Sequence, residues 1–428
     1  MPFTQLGLSP ALLQAVTAQA YTEPTPVQSR AIPEILKGND VLALAQTGSG
    51  KTAAFCLPLL HKLQQAMGAT FANQRASKAQ VQTLILVPTR ELAAQVGEVI
   101  DALSQHLPVS VKTTVIFGGV SINPQMMGLR GGADLVVATP GRLLDLIEHN
   151  ALSLSSVNTL VLDEADRLLD LGFADELARI LALLPKDRQT LFFSATFPQS
   201  VQALADTLLR NPTRIEVDAA PLTTPDITQR AIEVDARQRT QLLRHLVQQN
   251  KWTRVLVFVA TKFAAEIVAD KLRKADIHAE PFHGVLSQGK RSQVLADFKA
   301  NKVQVVVATD LAARGIDIAS LPVVVNFDLP RSSVDYVHRI GRTGRAGESG
   351  LALSFISADT DAHFRLIEKR QGLMLAREQI AGFEPQQSAV PVLVVDTSGN
   401  GGIKGNRPSK KDKLRAAAAQ ALDCGSND

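Results

Sequence analysis

Short, near-continuous apolar runs alternate with amphipathic stretches along most of the chain. TLILVPT precedes RELAAQVGEVIDAL, DLVVATP precedes GRLLDLIEH, TLVLDEAD precedes RLLDLGFADELARILALL, and TLFFSAT precedes PQSVQALADTLL. Buried strands, each followed by a helix with one apolar face, predict an α/β fold whose parallel sheet is covered on both sides. Such sheets bind ligands beyond the carboxyl ends of their strands. Here those ends read TGSGKT, PTRE, GG, TPGR, DEAD and SAT, so every polar, turn-forming cluster falls on one edge.

The alternation lapses at residues 218–228, DAAPLTTPDIT, where Pro, Thr and Asp without periodicity mark a linker. It resumes with RVLVFVAT, KFAAEIVADKLRKA, EPFHG, VQVVVATD, VVVNFDLP and LALSFIS, a second parallel domain without a phosphate loop of its own. The expected organisation is a first lobe over 1–217, the linker, a second lobe over 229–378, and a flexible tail over 379–428. Residues 64–80 are polar and unpatterned and read as a surface loop. The tail carries a basic stretch at 404–415, read either as a solvated appendage or as an auxiliary nucleic-acid contact.

Composition changes this picture little. Of 428 residues, 45% are hydrophobic and 20% charged, enough core for two globular domains. A net charge of +4 permits a polyanionic partner without demanding one. The two cysteines, Cys56 and Cys424, lie far apart, which excludes a disulfide framework or a zinc cluster. No basic region followed by an apolar core opens the chain, and no apolar run is long enough to span a bilayer. A cytoplasmic protein with no membrane association is expected.

The chemistry begins at residues 40–52, DVLALAQTGSGKT. Val41 to Ala45 read as a strand, Thr47-Gly48-Ser49-Gly50 as a tight loop, and Lys51 and Thr52 as the start of a helix. Strand, glycine loop and helix are the context of a phosphate-binding loop. Glycines let backbone N–H groups turn toward phosphate oxygens, and the helix N-terminus adds a partial positive charge. Lys51 supplies a full charge, and the Thr52 hydroxyl can ligate Mg2+. Ala45 stands where the strict pattern has glycine, and an ordinary strand-to-helix turn is the plainer reading of this stretch alone.

Asp163-Glu164-Ala165-Asp166 ends a buried strand of the same domain. Mg2+ on a triphosphate needs a nearby carboxylate, and attack by water needs a second one to orient or deprotonate it. Asp163 suits the metal, Glu164 the water, and Asp166 is open to a simpler role as a helix N-cap.

Together, AQTGSGKT at 45–52 and DEAD at 163–166 resemble the DEAD-box family of ATP-dependent RNA helicases. The family's other signatures follow in order: YTEPTPVQ at 21–28, PTREL at 88–92, GG at 118–119, TPGR at 139–142 and SAT at 194–196. ATDLAARGID at 308–317 and HRIGRTGR at 338–345 complete the set. The match covers about residues 1 to 378. Compact lobes with a short tail look most like the bacterial RhlE-like branch, and Ala45 is no departure from the family's version of the loop.

The resemblance implies two RecA-like parallel-sheet lobes that bind ATP, Mg2+ and RNA. Ala45, Gln46, Thr47, Gly48, Ser49, Gly50, Lys51 and Thr52 would cradle the phosphates. The amide of Gln28 suits the N6/N7 edge of adenine, with Tyr21 and Phe3 beside the base; capping a helix after Pro26 is the alternative. Arg339, Arg342 and Arg345 are spaced to line one side of a helix entering a glycine-rich loop. They form either a solvated basic face or, for Arg342 and Arg345, a pair of arginine fingers on the γ-phosphate. Asp317 would face the ribose, and Asp166, Ser194, Thr196 and His338 would couple the sites or link the lobes. RNA contacts would come from Pro88, Thr89, Arg90, Gly119, Thr139, Gly141 and Arg142 in the first lobe, with Thr309 and Arg314 in the second. His283, Gln288 and Arg291 match a lesser motif or simply lie on a surface helix.

Trp252 and the two tyrosines fall outside these RNA segments, which favours backbone readout with little sequence specificity. The function so implied is an RNA-dependent ATPase that separates short duplexes locally and remodels RNA or ribonucleoprotein, in ribosome assembly or RNA turnover. Proteins of those processes are possible partners. Two rivals stand beside it. An ATP-gated RNA clamp is disfavoured by the complete set Asp163, Glu164 and Arg345, and a DNA translocase by the family signature.

Overall fold

Two seven-stranded sheets, with every strand parallel to its neighbours, form the framework of the computed structural model. It describes residues 2–45, 48–71, 80–217, 227–313, 321–344 and 349–386. The first sheet comprises β1 (Val41–Leu44), β2 (Thr83–Leu86), β3 (Thr113–Ile116), β4 (Leu135–Ala138), β5 (Thr159–Leu162), β6 (Gln189–Ser194) and β7 (Thr213–Glu216). Its spatial order is β3-β4-β2-β5-β6-β1-β7. The second holds β8 (Ile227–Glu233), β9 (Val255–Val259), β10 (Ala279–Phe282), β11 (Val305–Thr309), β12 (Val323–Asn326), β13 (Gly350–Ile356) and β14 (Arg377–Glu378). Its order is β10-β11-β9-β12-β13-β8-β14. These are the two RecA-like lobes that the alternating pattern and the motifs predict.

The period of two along each strand builds a core on both faces of each sheet. Val41, Ala43 and Ile85 face one core of the first lobe, while Leu42, Leu84 and Leu86 face the other. Val255, Val257 and Val259 pack on one side of the second sheet, with Leu256 and Phe258 on the opposite side. Each such side chain is almost fully buried and contributes roughly 1.5–3 kcal/mol. The edges that carry the motifs therefore rest on stiff supports.

Several boundaries differ from the sequence reading. The helix that opens at Lys51 runs on to Phe71, so the first part of the supposed loop at 64–80 is helical. Gln64, Gln65, Ala66 and Met67 are good helix formers, and polarity alone does not end a helix. The single helix expected after DEAD is two, Ala165–Asp170 and Ala174–Ala182, interrupted where Gly172 takes φ +84°. Ile227 and Thr228, counted with the linker, are the first residues of β8; linker residues 218–226 lie outside the described residues. The start of the expected tail packs on the second lobe: Gln379 donates to Glu233 at 2.8 Å, and the Phe383 ring lies 5.3 Å from that of His245. The tail's expected flexibility and basic stretch, from residue 387 on, fall outside the described residues. No helix among the described residues is long and apolar enough to cross a membrane.

Candidate active site and RNA interface

The strand order of the first sheet divides its carboxyl edge into two halves. Adjacent strands β5, β6 and β1 end in residues 163–166, 194–196 and the loop before Lys51. Adjacent strands β2, β4 and β3 end in 88–90, 139–142 and 118–119. The residues assigned to nucleotide thus gather on one half, and those assigned to RNA on the other.

On the first half, Gly48 and Gly50 have φ of +85° and +89°, conformations that side chains resist, and the chain then enters the helix at Lys51. The Lys51 ammonium is buried and donates to the Ala45 carbonyl at 2.8 Å, folding back across the loop it follows. Thr52 is half-buried in the first turn. The Ser49 hydroxyl is buried without a hydrogen-bond partner among the described residues. Gln46 and Thr47 lie outside the described residues.

Gln28 fills the helix-capping role and reaches the loop as well. Thr25 N–H donates to its Oε1 at 3.0 Å and its own N–H donates to Thr25 Oγ1 at 3.4 Å, a capping box for the helix Pro26–Leu36. Its Nε2 donates to the Gly50 carbonyl at 3.1 Å, and a Cβ at Gly50 would collide with that amide. One N–H and one lone pair of the amide remain for a base edge. Phe3 and Tyr21 stack with ring centroids 6.5 Å apart.

Asp163 is 2% exposed and accepts from the Glu164 N–H at 2.9 Å. Burial pushes its carboxyl up to about 7; Lys51 opposes the shift, and the charges of Glu164 and Asp166 add to it. A buried carboxylate held so high is poorly compensated when ionised, and a cation would relieve it. The oxygen donors of Asp163 and Thr52 suit Mg2+. Among the described residues no cluster of His, Cys, Asp and Glu could hold a metal unaided, so an ion here would draw other ligands from phosphate and water.

A pH-dependent prediction follows. The raised pKa means the neutral form stabilises the fold fully below the unfolded value near 3.8, a contribution lost as pH rises through about 7. Asp163→Asn should therefore abolish turnover yet raise nucleotide-free stability by on the order of 1–4 kcal/mol above pH 7. The gain should shrink toward pH 4 in a series of thermal melts. A lower Tm than wild type at pH 8 would contradict it.

Glu164 is buried with φ +50°, a left-handed conformation that a non-glycine residue holds at a cost. It occupies the N-cap of Ala165–Asp170, so Asp166 is not the cap. The Asp166 carboxylate instead accepts from Thr196 N–H at 3.0 Å and Thr196 Oγ1 at 2.7 Å, while Ser194 Oγ donates to the Thr196 carbonyl at 2.6 Å. The DEAD and SAT segments are thereby tied together.

On the other half, Thr89 Oγ1 caps the helix Arg90–Ser104 by accepting from Leu92 N–H at 3.2 Å, and Pro88 before it is buried. Gly119, at φ +79°, lies against the Arg90 guanidinium where a Cβ would overlap it. Thr139 precedes the helix Pro140–Glu148 without a side-chain cap bond, and Gly141 sits in its first turn. Arg142 donates to the Val120 carbonyl at 2.8 Å, but its Nε and Nη1 are buried without hydrogen-bond partners.

In the second lobe, Thr309 ends β11; Arg314, Asp317 and Arg345 lie outside the described residues. Arg339 does not face a cleft with Arg342. It is 2% exposed, pairs through two nitrogens with Asp310 at 2.6 and 2.7 Å, donates to Asn326 and the Asp328 carbonyl, and lies over Phe258. Arg342, half-exposed, follows Gly341 beyond the helix Ser333–Ile340.

The lobes touch at both ends of the edge. At the nucleotide end the lobe-joining residue is Arg167, not Asp166: it bonds His338 and lies 3.5 Å from Asp335. Burial, then the charge of Arg167, holds His338 down to about 4; Arg342 acts in the same sense, while Asp166 and Asp335 oppose them. At the RNA end Arg291 pairs with Glu91 at 2.9 Å, each side chain 7% exposed, which removes the surface-helix reading of Arg291. His283 is likewise buried and Gln288 half-buried. An arginine directly after DEAD was the available signal for Arg167, but partners across lobes leave no mark in local spacing.

Closing the lobes thus keeps His338 neutral, whereas an exposed histidine titrates near 6.5. Between about pH 6.5 and 4 the parted form binds an extra proton, so acid should favour opening by up to tenfold per pH unit. Energy transfer between dyes on the two lobes should show this slope, and His338→Gln should flatten it. An unchanged slope in the variant would exclude His338 as its source.

Two profiles match this chain: that of the DEAD/DEAH box helicase over residues 25–204 and that of the helicase conserved C-terminal domain over 238–347. It is 41% identical over 367 residues to the DEAD-box ATP-dependent RNA helicase CshA of Bacillus cereus, covering 86% of this chain and 67% of the relative. Against the ATP-dependent rRNA helicase RRP3 of Candida albicans it is 40% identical, covering 88% and 68%. The structure of S. cerevisiae Dbp5 bound to RNA and ADP BeF3 superposes with a TM-score of 0.75 at 30% identity, covering 88% and 95%. The same yeast protein bound to Gle1 and IP6 gives 0.69, so the lobes here are arranged more as in the RNA complex. A parallel-sheet ATPase of two RecA-like lobes is the class that this fold and edge define. The chain belongs to the DEAD-box family of ATP-dependent RNA helicases.

Proposed function

We propose that this helicase is an RNA-dependent ATPase that opens short RNA duplexes locally, by gripping one strand across both lobes. The observation that carries the reading is the divided edge, closed at its nucleotide end by Arg167 and at its RNA end by Arg291 and Glu91. ATP binds with its phosphates between the glycine loop and Lys51, and Gln28 reads the adenine beside Phe3 and Tyr21. Mg2+, held by Asp163 and Thr52, would supply charge neutralisation on the phosphates. Glu164 orients and deprotonates the attacking water, and Arg342 and Arg345 meet the γ-phosphate from the second lobe. Asp317 faces the ribose; Asp166, Ser194, Thr196 and His338 report nucleotide state toward the RNA half.

RNA runs over Pro88, Thr89, Arg90, Gly119, Thr139, Gly141 and Arg142, then Thr309 and Arg314. Arg142 has the strongest support, since two buried N–H-bearing nitrogens without partners are suited to a phosphate. A role in ribosome assembly or RNA turnover, with proteins of those processes and in the cytoplasm, is the biological setting. The name of the RRP3 relative, an rRNA helicase, supports the first. The finer RhlE-like branch has only the compact two-lobe outline behind it, and the curated relatives above carry other names.

The test is the dependence of unwinding on duplex length. A grip on a few nucleotides has no means of stepping, so the rate should fall steeply as base pairs are added. Single-stranded RNA should activate ATPase more than DNA through contacts to the 2′-OH. Equal rates on short and long duplexes would refute local opening.

A further inference from the structure

Three large apolar residues stand exposed on the carboxyl edge of three neighbouring strands of the second lobe. Strands β10, β11 and β9 are adjacent, with Phe282 in register with Ala308 and Thr309 with Val259. Val285 follows the end of β10, Leu311 the end of β11 and Phe263 the end of β9, at 68%, 55% and 72% exposure. Strand spacing of about 5 Å brings these ends side by side. The loop with Val285 is fastened to the helix with Phe263, because His283 bonds Glu266, one turn past Phe263, at 2.7 Å.

We propose that Phe263, Val285 and Leu311 form an apolar ledge on which an unpaired base of the bound RNA strand rests, with Phe263 stacking on it. This deepens the RNA-binding function proposed above and rests on it. The ledge is continuous with Thr309, two residues before Leu311, and lies beside Arg291 at the RNA end of the lobe contact. Its surroundings suit a nucleotide better than an apolar protein face. Phe263 is in the first turn of Lys262–Arg273, capped by Thr261, next to exposed Lys262; Gln288–Lys299, capped by Ser287, begins just beyond Val285. Two capped helix starts and a lysine favour phosphate, and the apolar surface between them favours a base. Phenylalanine is the aromatic that an inventory of Trp and Tyr overlooks.

The experiment uses the full chain with a non-hydrolysable ATP analogue and short single-stranded RNA carrying 2-aminopurine at one position at a time. Wild type should quench the probe at one position on binding. Phe263→Ala should abolish that quenching and weaken RNA affinity by about 5- to 100-fold, and Phe263→Trp should restore both. Val285→Ser, in a loop rather than a helix, should perturb the same position. Ile267→Ala, one turn further along the helix and away from the edge, should change neither, and thermal melts verify folding. Wild-type affinity and quenching in Phe263→Ala would overturn the ledge and leave that surface to a protein partner. Rescue of affinity by Phe263→Lys without quenching would overturn it too, as charge alone. If Arg142→Ala still weakens RNA binding in those cases, the RNA-binding reading survives; if wild type binds no RNA, that reading itself fails.

Discussion

Replacing Glu164 by glutamine should cut single-turnover ATP hydrolysis by about 10²–10⁴ while leaving ATP and RNA bound. The side chain sits in a buried turn at φ +50°, and a left-handed non-glycine residue costs roughly 1–3 kcal/mol that the surrounding fold must offset. Such strain persists where it fixes a side chain for use. Here it turns Glu164 out of β5 immediately after Asp163, whose carboxylate accepts the Glu164 N–H. Glutamine has the same length and leaves that backbone bond in place, so the change is confined to the ability to take a proton. With ATP bound and hydrolysis blocked, both halves of the edge stay occupied and the complex should remain on RNA. Retention on labelled RNA, read beside hydrolysis, separates this outcome from a folding defect. Hydrolysis at the wild-type rate would remove Glu164 as the base.

Much of this arrangement is legible in the chain. The strands of both central sheets read as apolar runs because burial on both faces leaves no polar alternation, and their ends read as motifs because glycines and acids cannot continue a strand. Strands β7 and β14 escape such a reading: TRIE and RE are short, half-polar edge strands whose pairing comes from neighbours distant in sequence. Gly172 looks like any tolerated helix glycine until its φ of +84° divides the segment. The contacts that join the lobes were the least visible. Arg167, Glu91 and Arg291 are charged residues that read as solvated helix faces, and only the packing of one lobe on the other buries them. Gln28 shows a different limit: capping and binding both call for the same amide, and the structure uses it for the cap and for Gly50 at once.

Removing Arg342 should cost RNA-stimulated turnover on the order of 10³–10⁵, the usual worth of an arginine finger, with ATP affinity in the absence of RNA largely kept. The argument is one of position across the lobes. Lys51, Asp163 and Glu164 belong to the first lobe, while Arg342 follows Gly341 at the end of a helix that meets Arg167 through His338 and Asp335. RNA that contacts both lobes binds the closed form better and shifts the population toward it, bringing that helix end to the nucleotide. Arg345→Ala, three residues on and outside the described residues, should behave in the same way. Arg339 provides the contrast, since its guanidinium is spent on Asp310, Asn326 and the Asp328 carbonyl inside the second lobe. Arg339→Ala should lower the Tm of the second lobe, because Asp310 and Asn326 lose their partner, at a cost of about 3–5 kcal/mol. Arg342→Ala should leave the melt nearly unchanged and lose the rate. The measurement pairs ATPase rates with and without RNA against thermal melts for the three variants. Full RNA stimulation in both Arg342→Ala and Arg345→Ala would rule out catalysis by an arginine carried in on lobe closure.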